Sequence, residues 1–449
     1  MTNLFLHSRW EWLRVAALAP FLLFPSVLPR VTVVMTGVWL LLALVAYCRD
    51  ATPSTRSPIT WPVTTLALMV TVGTLITPYP DLAMPKVASI VLGILAVRAM
   101  LLGVQSPTHA WRAAAGYVLL GCVLIAPAVI ATTWFVKFTW LEGATAALPH
   151  VIPHLPGTAP EGVQPNALGG TTLFLLPLLV VIASATRQLP DTMSLFGVER
   201  YRHRAAVRVG LRAAFAVIII GVTMVLLLTQ SRTSWFAMAV AAVTLAALRW
   251  RPARRAAAAA CLALILVIFL GPRSYTTAVW RAMSTVSTVS MDLSWAGRVE
   301  VWQSAVAAIS DFPFTGVGLS AFRRIVHDLY PLTLSSANID LAHAHNVFLQ
   351  TALDVGLPGL VAYVSLLVVA SVLAWQVYCM AAPPEAMLAL GLWGNLLAVH
   401  LFGLADAIAL GAKVGLLFWL DIGILVALHR CTVGTPLTAA GPDRAGQPA

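Results

Sequence analysis

The sequence carries little charge, and very little of it is negative. Only 10% of its 449 residues are charged, and Asp and Glu together number 17. Soluble domains are about a quarter charged, so a water-soluble globule is excluded. Cysteine is scarce as well: Cys48, Cys122, Cys261, Cys379 and Cys431 stand far apart with no CxxC spacing. That leaves neither a disulfide framework nor a thiolate metal centre, and the cysteines read as packing residues. No Walker loop, GxGxxG, GxSxG or HExxH is present, so ATP-driven transport, dinucleotide chemistry and the common hydrolase chemistries lack support. The acidic residues Asp292, Glu300, Asp311, Asp328 and Asp340 are scattered and form no DxD pair, so no carboxylate-held divalent cation is indicated.

Apolar sequence fills the chain, at 59% of residues and a mean hydropathy of +0.87. Runs of about twenty apolar residues recur, the length needed to cross a bilayer core. They are continuous and do not alternate with a period of two, which excludes a closed β-barrel. The fold class is therefore an all-α polytopic integral membrane protein with about 12 transmembrane helices. The first nine fall within residues 1–271. A large, partly helical outer loop occupies 272–346 between the ninth and tenth, the last three helices fall within 347–430, and 431–449 reads as a disordered tail. The first span is no cleavable signal peptide, because PSVLPR offers no small-residue cleavage site.

The formal charge of +11 rests on 28 Lys+Arg, all Arg except Lys86, Lys137 and Lys413. Placing the N-terminus inside collects the basic clusters, among them Arg200, Arg202, Arg204, Arg249, Arg251, Arg254 and Arg255, in inner loops. Topology thus accounts for the charge without nucleic acid, and both termini are expected inside. Against that trend the outer loop holds Arg273, Arg281, Arg298, Arg323 and Arg324, together with His327, His343 and His345. Long loops translocate regardless of charge. An anionic ligand on the outer face is the functional alternative, since the arginine fork matches phosphate oxygens in a bidentate way.

Within that loop, WAGRVEVWQSAVAAISDFPF places Val299, Trp302, Val306 and Ile309 at helical steps. This predicts an amphipathic helix capped by Ser294 and closed by Pro313. A second short helix is predicted in GVGLSAFRRIVHDLY. Arg232 follows Ser231 at the outer end of an apolar run, where a charge costs a few kcal/mol unless paired or solvated. It can serve a polar pocket or simply snorkel. Arg298 can bind an anion or pair with Glu300 or Asp292. His343 and His345, two apart, make poor metal geometry on a helix and read as a general base or as structural groups. Asn346 can cap the following helix, Gly356 and Gly359 around Pro358 mark a kink or close packing, and Asp406 and Lys413 either pair or act.

These segments together resemble the bacterial O-antigen ligase/polymerase superfamily. His345-Asn346, nine residues, then Gly356-Leu-Pro-Gly359 is similar to the ligases' pattern near the end of their large periplasmic loop. Ser231-Arg232, Gly297-Arg298 with Trp302, FPFTGVG at 312–318 and PNALGG at 165–170 also look like family segments, and the resemblance covers roughly 165–425. It implies a glycosyltransferase of the bacterial inner membrane with its active site facing the periplasm. Such an enzyme moves a glycan from undecaprenyl diphosphate to lipid A–core, inverting the anomeric carbon without metal or other cofactor.

The resemblance further implies His345 as catalytic base and Arg232 and Arg298 as the diphosphate clamp. His343, Arg324, Arg273, Asn346 and Ser231 form a second tier. A Wzy-type polymerase, a protein O-oligosaccharyltransferase and, from another class, an anionic-lipid transporter are the alternatives. The Arg-x10-Gly of many polymerases is missing here: Arg232 meets Val243, Arg281 meets Asp292 and Arg298 meets Ile309.

Overall fold

A computed structural model describes residues 57–148, 162–186, 205–270, 295–333 and 341–434. The first two expected spans, Arg273, the Ser294 cap and the tail beyond 434 lie outside the described residues. Among the described residues the chain is helical, with no strand and one isolated backbone bridge between Thr132 and Val163.

The helices are α1 (Thr60–Ile76), α2 (Pro80–Gly103), α3 (Pro107–Ile130), α4 (Glu142–Ala146), α5 (Pro165–Thr172), α6 (Leu176–Thr186) and α7 (Ala205–Leu228). They continue with α8 (Arg232–Arg249), α9 (Arg251–Leu270), α10 (Trp295–Asp311), α11 (Phe322–Leu329), α12 (Val347–Met380), α13 (Pro383–Phe402) and α14 (Leu416–Thr432). α2, α3, α5 and α13 each begin at a proline, whose fixed φ suits a first helical turn and whose missing N–H is not needed there. Among the described residues, six segments are long and apolar enough to cross a membrane: 80–103, 107–130, 165–183, 347–380, 383–402 and 413–432. This is a multi-pass helical architecture. α12 packs on α1 and α13, α14 packs on α2, and α13 also packs on α6 and α8. Trp111, Tyr117, Phe174, Phe402 and Trp419 are fully buried among them.

Two predicted spans are interrupted, and each break is stitched to its surroundings. The run at 167–185 divides into α5 and α6, and the backbone groups freed there find side-chain partners. Tyr117 donates its hydroxyl to the Phe174 carbonyl at 2.5 Å, and Leu178 N–H donates to Asn395 Oδ1 at 3.1 Å. Asn395 Nδ2 in turn donates to Asp421 Oδ2 at 3.1 Å. Non-helical backbone at this depth persists only when buried in protein and satisfied in this way. In α12 the break falls at Gly356, with φ +70°. It frees the Leu353 carbonyl and the Leu357 N–H, which pair with Val317 N–H at 2.9 Å and the Pro313 carbonyl at 2.8 Å. Leu319 N–H donates to the Gly73 carbonyl at 2.9 Å and Thr77 Oγ1 donates to the Leu319 carbonyl at 3.0 Å, so residues 313–320 lace α10 and α11 to α1 and α12.

The loop helix α10 forms where expected, but its inward face is different. Gly297, Arg298, Val301, Ala305 and Ala308 are buried, whereas Val306 is 52% exposed. The small residues let α10 lie close against α12, and this close approach outweighs the apolar stripe of larger side chains. Rotating the helix that way turns Arg298 inward.

Candidate functional site

The site gathers at one end of the bundle, where α1 ends, α2, α12 and α14 begin, and α13 turns back. Asn346 is the N-cap of α12, accepting from Phe348 N–H at 3.0 Å and Leu349 N–H at 3.1 Å through Oδ1. Its Nδ2 donates to the Leu404 carbonyl at 3.0 Å, and Val347 N–H donates to the Gly403 carbonyl at 2.7 Å. These bonds hold the start of α12 against the 403–407 turn, which carries Asp406.

His345 immediately precedes the cap in the left-handed region, at φ 48°. A non-glycine residue there is strained and needs fixing by its surroundings. Trp302 Nε1 donates to the His345 carbonyl at 3.3 Å, and Ala344 N–H donates to Gln350 Oε1 at 2.8 Å. His345 N–H also donates to His343 Nδ1 at 3.2 Å, and the two rings meet edge to face with centroids 4.6 Å apart.

Asp406 collects the polar groups. Its Oδ1 lies 3.2 Å from His345 Nδ1 and 3.8 Å from His343 Nε2, and it accepts from Ala407 N–H at 2.9 Å. Its Oδ2 lies 3.8 Å from Arg298 Nη2. Burial would raise the Asp406 carboxyl. The hydrogen bond from His345 and the electrostatic pull of His345, His343 and Arg298 outweigh that and hold it well below the usual carboxylate range. An ionised Asp406 can only accept, so the His345 nitrogen facing it carries the proton and Nε2 is left with the lone pair. His343 is pushed down to about 3, first by burial and then by the neighbouring His345 imidazole, and stays neutral.

Arg298 is 9% exposed, and its Nε has no hydrogen-bond partner among the described residues. A buried charged donor left unpaired costs more than the roughly 1–3 kcal/mol of a neutral one. Lys86, in the first turns of α2, pairs with the fully buried Asp354 at 3.2 Å, and its charge also acts on His343. Asp354 Oδ1 accepts from Ser320 N–H at 2.8 Å, tying this pair to the 313–320 strap.

Other expected site residues lie apart from this cluster. Arg232 is exposed at the first residue of α8, and no described hydrogen bond or ion pair joins it to His345 or Asp406. Ser231 is the α8 N-cap, accepting from Ser234 N–H. Between the two groups lies α5, with Gly169 against Ser231 and Ser234 and Gly170 against Phe402. Arg324 sits over the Tyr79 ring at 5.1 Å and 3.8 Å from Asp81, on the exposed side. The sequence marks Asp406 only as a residue that pairs or acts, and nothing in its pattern joins it to His345. It lies 61 positions after His345, in a turn with no motif around it.

His343, His345 and Asp406 offer ligand atoms within 4.8 Å of one another, the make-up of a metal centre. Hydrogen-bond polarity argues against that use. His343 Nδ1 accepts a backbone N–H, so its Nε2 carries a proton, as does His345 Nδ1. The nitrogens nearest the carboxylate are therefore donors aimed at an anion and present no lone pairs to a cation.

No curated protein matches the chain. Residues 214–364, the stretch that holds Arg232, Arg298, His343 and His345, match the family model described as O-antigen ligase, which supports the likeness to the O-antigen ligase superfamily.

Proposed function

We propose that this protein is an O-antigen ligase that transfers a glycan from undecaprenyl diphosphate to lipid A–core, with the site end facing the periplasm. The observation that carries the reading is the buried Arg298, with an unpaired Nε, beside a His345–Asp406 pair. An inward guanidinium with spare donors suits an anion with several oxygens, and a diphosphate is one. The basic residues at the other end, Arg112, Arg249, Arg251, Arg254, Arg255 and Arg430, support a cytoplasmic assignment for that face.

In this mechanism the polyprenyl tail stays in lipid while Arg298 holds the diphosphate, with Arg232 reaching it from the far side of α5. Lys86 adds positive charge close by. His345 Nε2 takes the proton from the acceptor-sugar hydroxyl, and the hydroxyl oxygen bonds to the anomeric carbon from the face opposite the diphosphate. The C1–O bond then breaks, and undecaprenyl diphosphate leaves with the bonding pair while the arginines stabilise its charge. Asp406 fixes the His345 tautomer and stabilises the imidazolium that forms, as a positioning residue. The arginines do the work that a divalent cation does elsewhere, and no cofactor enters the step.

The test is to incubate purified protein with undecaprenyl-diphosphate glycan and lipid A–core, without nucleotide or metal, and to resolve the products. Glycan on lipid A–core is expected. Longer chains remaining on the carrier would make the protein a polymerase with the same site. No covalent product from authenticated substrates would overturn transfer and favour lipid transport.

A further inference from the structure

Near Arg232 lies an aromatic cluster that the transfer step does not use. Phe138 and Trp235 stack with centroids 5.4 Å apart and planes 17° from parallel, and Trp140 leans on them at 6.1 and 6.4 Å. Trp140 is 68% exposed. The cluster is held from beneath by Gln230, which is fully buried and adopts a left-handed φ of 51°. Its Oε1 accepts from Lys137 N–H and Phe138 N–H, both at 2.7 Å, and its Nε2 donates to the Phe135 carbonyl at 3.0 Å. Trp235 Nε1 is anchored on the Leu226 carbonyl at 2.9 Å. A strained, buried glutamine whose amide fixes the backbone of an exposed aromatic segment marks a preorganised surface.

We infer that Phe138, Trp140 and Trp235 form a stacking subsite for a pyranose ring of a glycan substrate. The inference rests on the glycosyl-transfer reading. A sugar presents one face of C–H groups, and the electron-rich face of an aromatic ring attracts them. Arg232 lies three residues before Trp235 and so shares its side of α8, while Lys137 precedes Phe138 with its Nζ 3.3 Å from Asn166 Oδ1. Cations beside aromatic plates suit a sugar that carries, or sits next to, a phosphate. The same chemistry fits the sugar nearest the donor diphosphate or a sugar of the phosphorylated acceptor core, and the experiment separates the two.

Full-length wild type, Trp140→Ala and Trp140→Phe are placed in lipid nanodiscs. The affinities of undecaprenyl-diphosphate glycan, lipid A–core and glycan-free undecaprenyl diphosphate are then measured separately from turnover. Trp140→Ala is expected to weaken one glycan-bearing substrate on the order of threefold to tenfold, the loss of one aromatic contact. Trp140→Phe should stay close to wild type, with glycan-free undecaprenyl diphosphate unaffected throughout. The substrate that weakens identifies the source of the sugar. Unchanged affinity for both glycans overturns the subsite, and equal weakening of glycan-free undecaprenyl diphosphate does so by making Trp140 a lipid contact. Wild-type binding without turnover would instead fail the transfer reading and leave the affinities to judge the subsite.

Discussion

Val317 donates its backbone N–H to the Leu353 carbonyl at 2.9 Å, joining the strap after α10 to the break in α12. The two glycine-bearing segments 312–318 and 356–359 are thus halves of one joint. Gly316, at φ +68°, faces the Leu353 carbonyl, and Gly356, at φ +70°, faces the Phe314 carbonyl. Through this joint the helix carrying Arg298 is set against the helix that begins just after His345 and Asn346.

Gly356→Ala tests the joint. A Cβ there would collide with backbone at Phe314, and the backbone at φ +70°, ψ 175° is a region essentially reserved for glycine, which adds about 1–3 kcal/mol for any L side chain. The expected outcome is a lower midpoint of thermal unfolding in detergent and a large loss of transfer. Gly359→Ala should be milder, because its close neighbour is the Val355 side chain and its φ is ordinary. Equal, wild-type behaviour of both variants would remove the joint from the account.

Much of this was legible in the sequence, and the failures are instructive. Apolar runs gave the helical membrane class, Asn346 read as a cap, and Gly356 with Pro358 read as a kink, because each is a local effect of one residue on its own backbone. The inward face of α10 is not legible in the sequence, since a stripe of Val and Trp looks more buried than one of Ala and Gly until a neighbouring helix comes close. Asp406 could not be paired with His345, because the contact depends on how α12 and α13 pack and not on spacing along the chain.

Asp406→Asn should leave His345 in place but remove the carboxylate that fixes its tautomer and stabilises its protonated form. Turnover is expected to fall by roughly 10²–10⁴-fold, comparable to the loss expected in His345→Ala, while donor affinity changes little. Asp406→Glu should recover part of the rate. Full turnover in Asp406→Asn would reduce the carboxylate to a structural partner.

His343 gives a prediction about acid stability. Its pKa is pushed from an ordinary value of about 6.5 down to about 3, so in acid the unfolded chain takes up a proton that the folded protein refuses. Stability contributed by the neutral residue is therefore complete above about pH 6.5 and is lost as the pH falls toward about 3. Asp406, with its pKa also lowered, adds a loss in the same direction below about pH 4. Unfolding midpoints recorded across this range should fall less steeply for His343→Asn than for wild type. Parallel curves would show that His343 does not titrate on unfolding.

Arg298 separates an arginine-based mechanism from a metal-based one. Arg298→Lys keeps the charge but loses the fork, so a bidentate phosphate contact predicts a severe loss, on the order of 10²-fold or more in turnover. A nearly normal rate would mean that charge alone suffices. A chelator should leave the wild-type rate unchanged, because His343 and His345 present N–H groups to Asp406. Excess Zn²⁺ should inhibit only by displacing those protons, and more strongly as the pH rises. Loss of activity in chelator, restored by Mg²⁺ or Zn²⁺, would instead make His343, His345 and Asp406 metal ligands and displace His345 as the base.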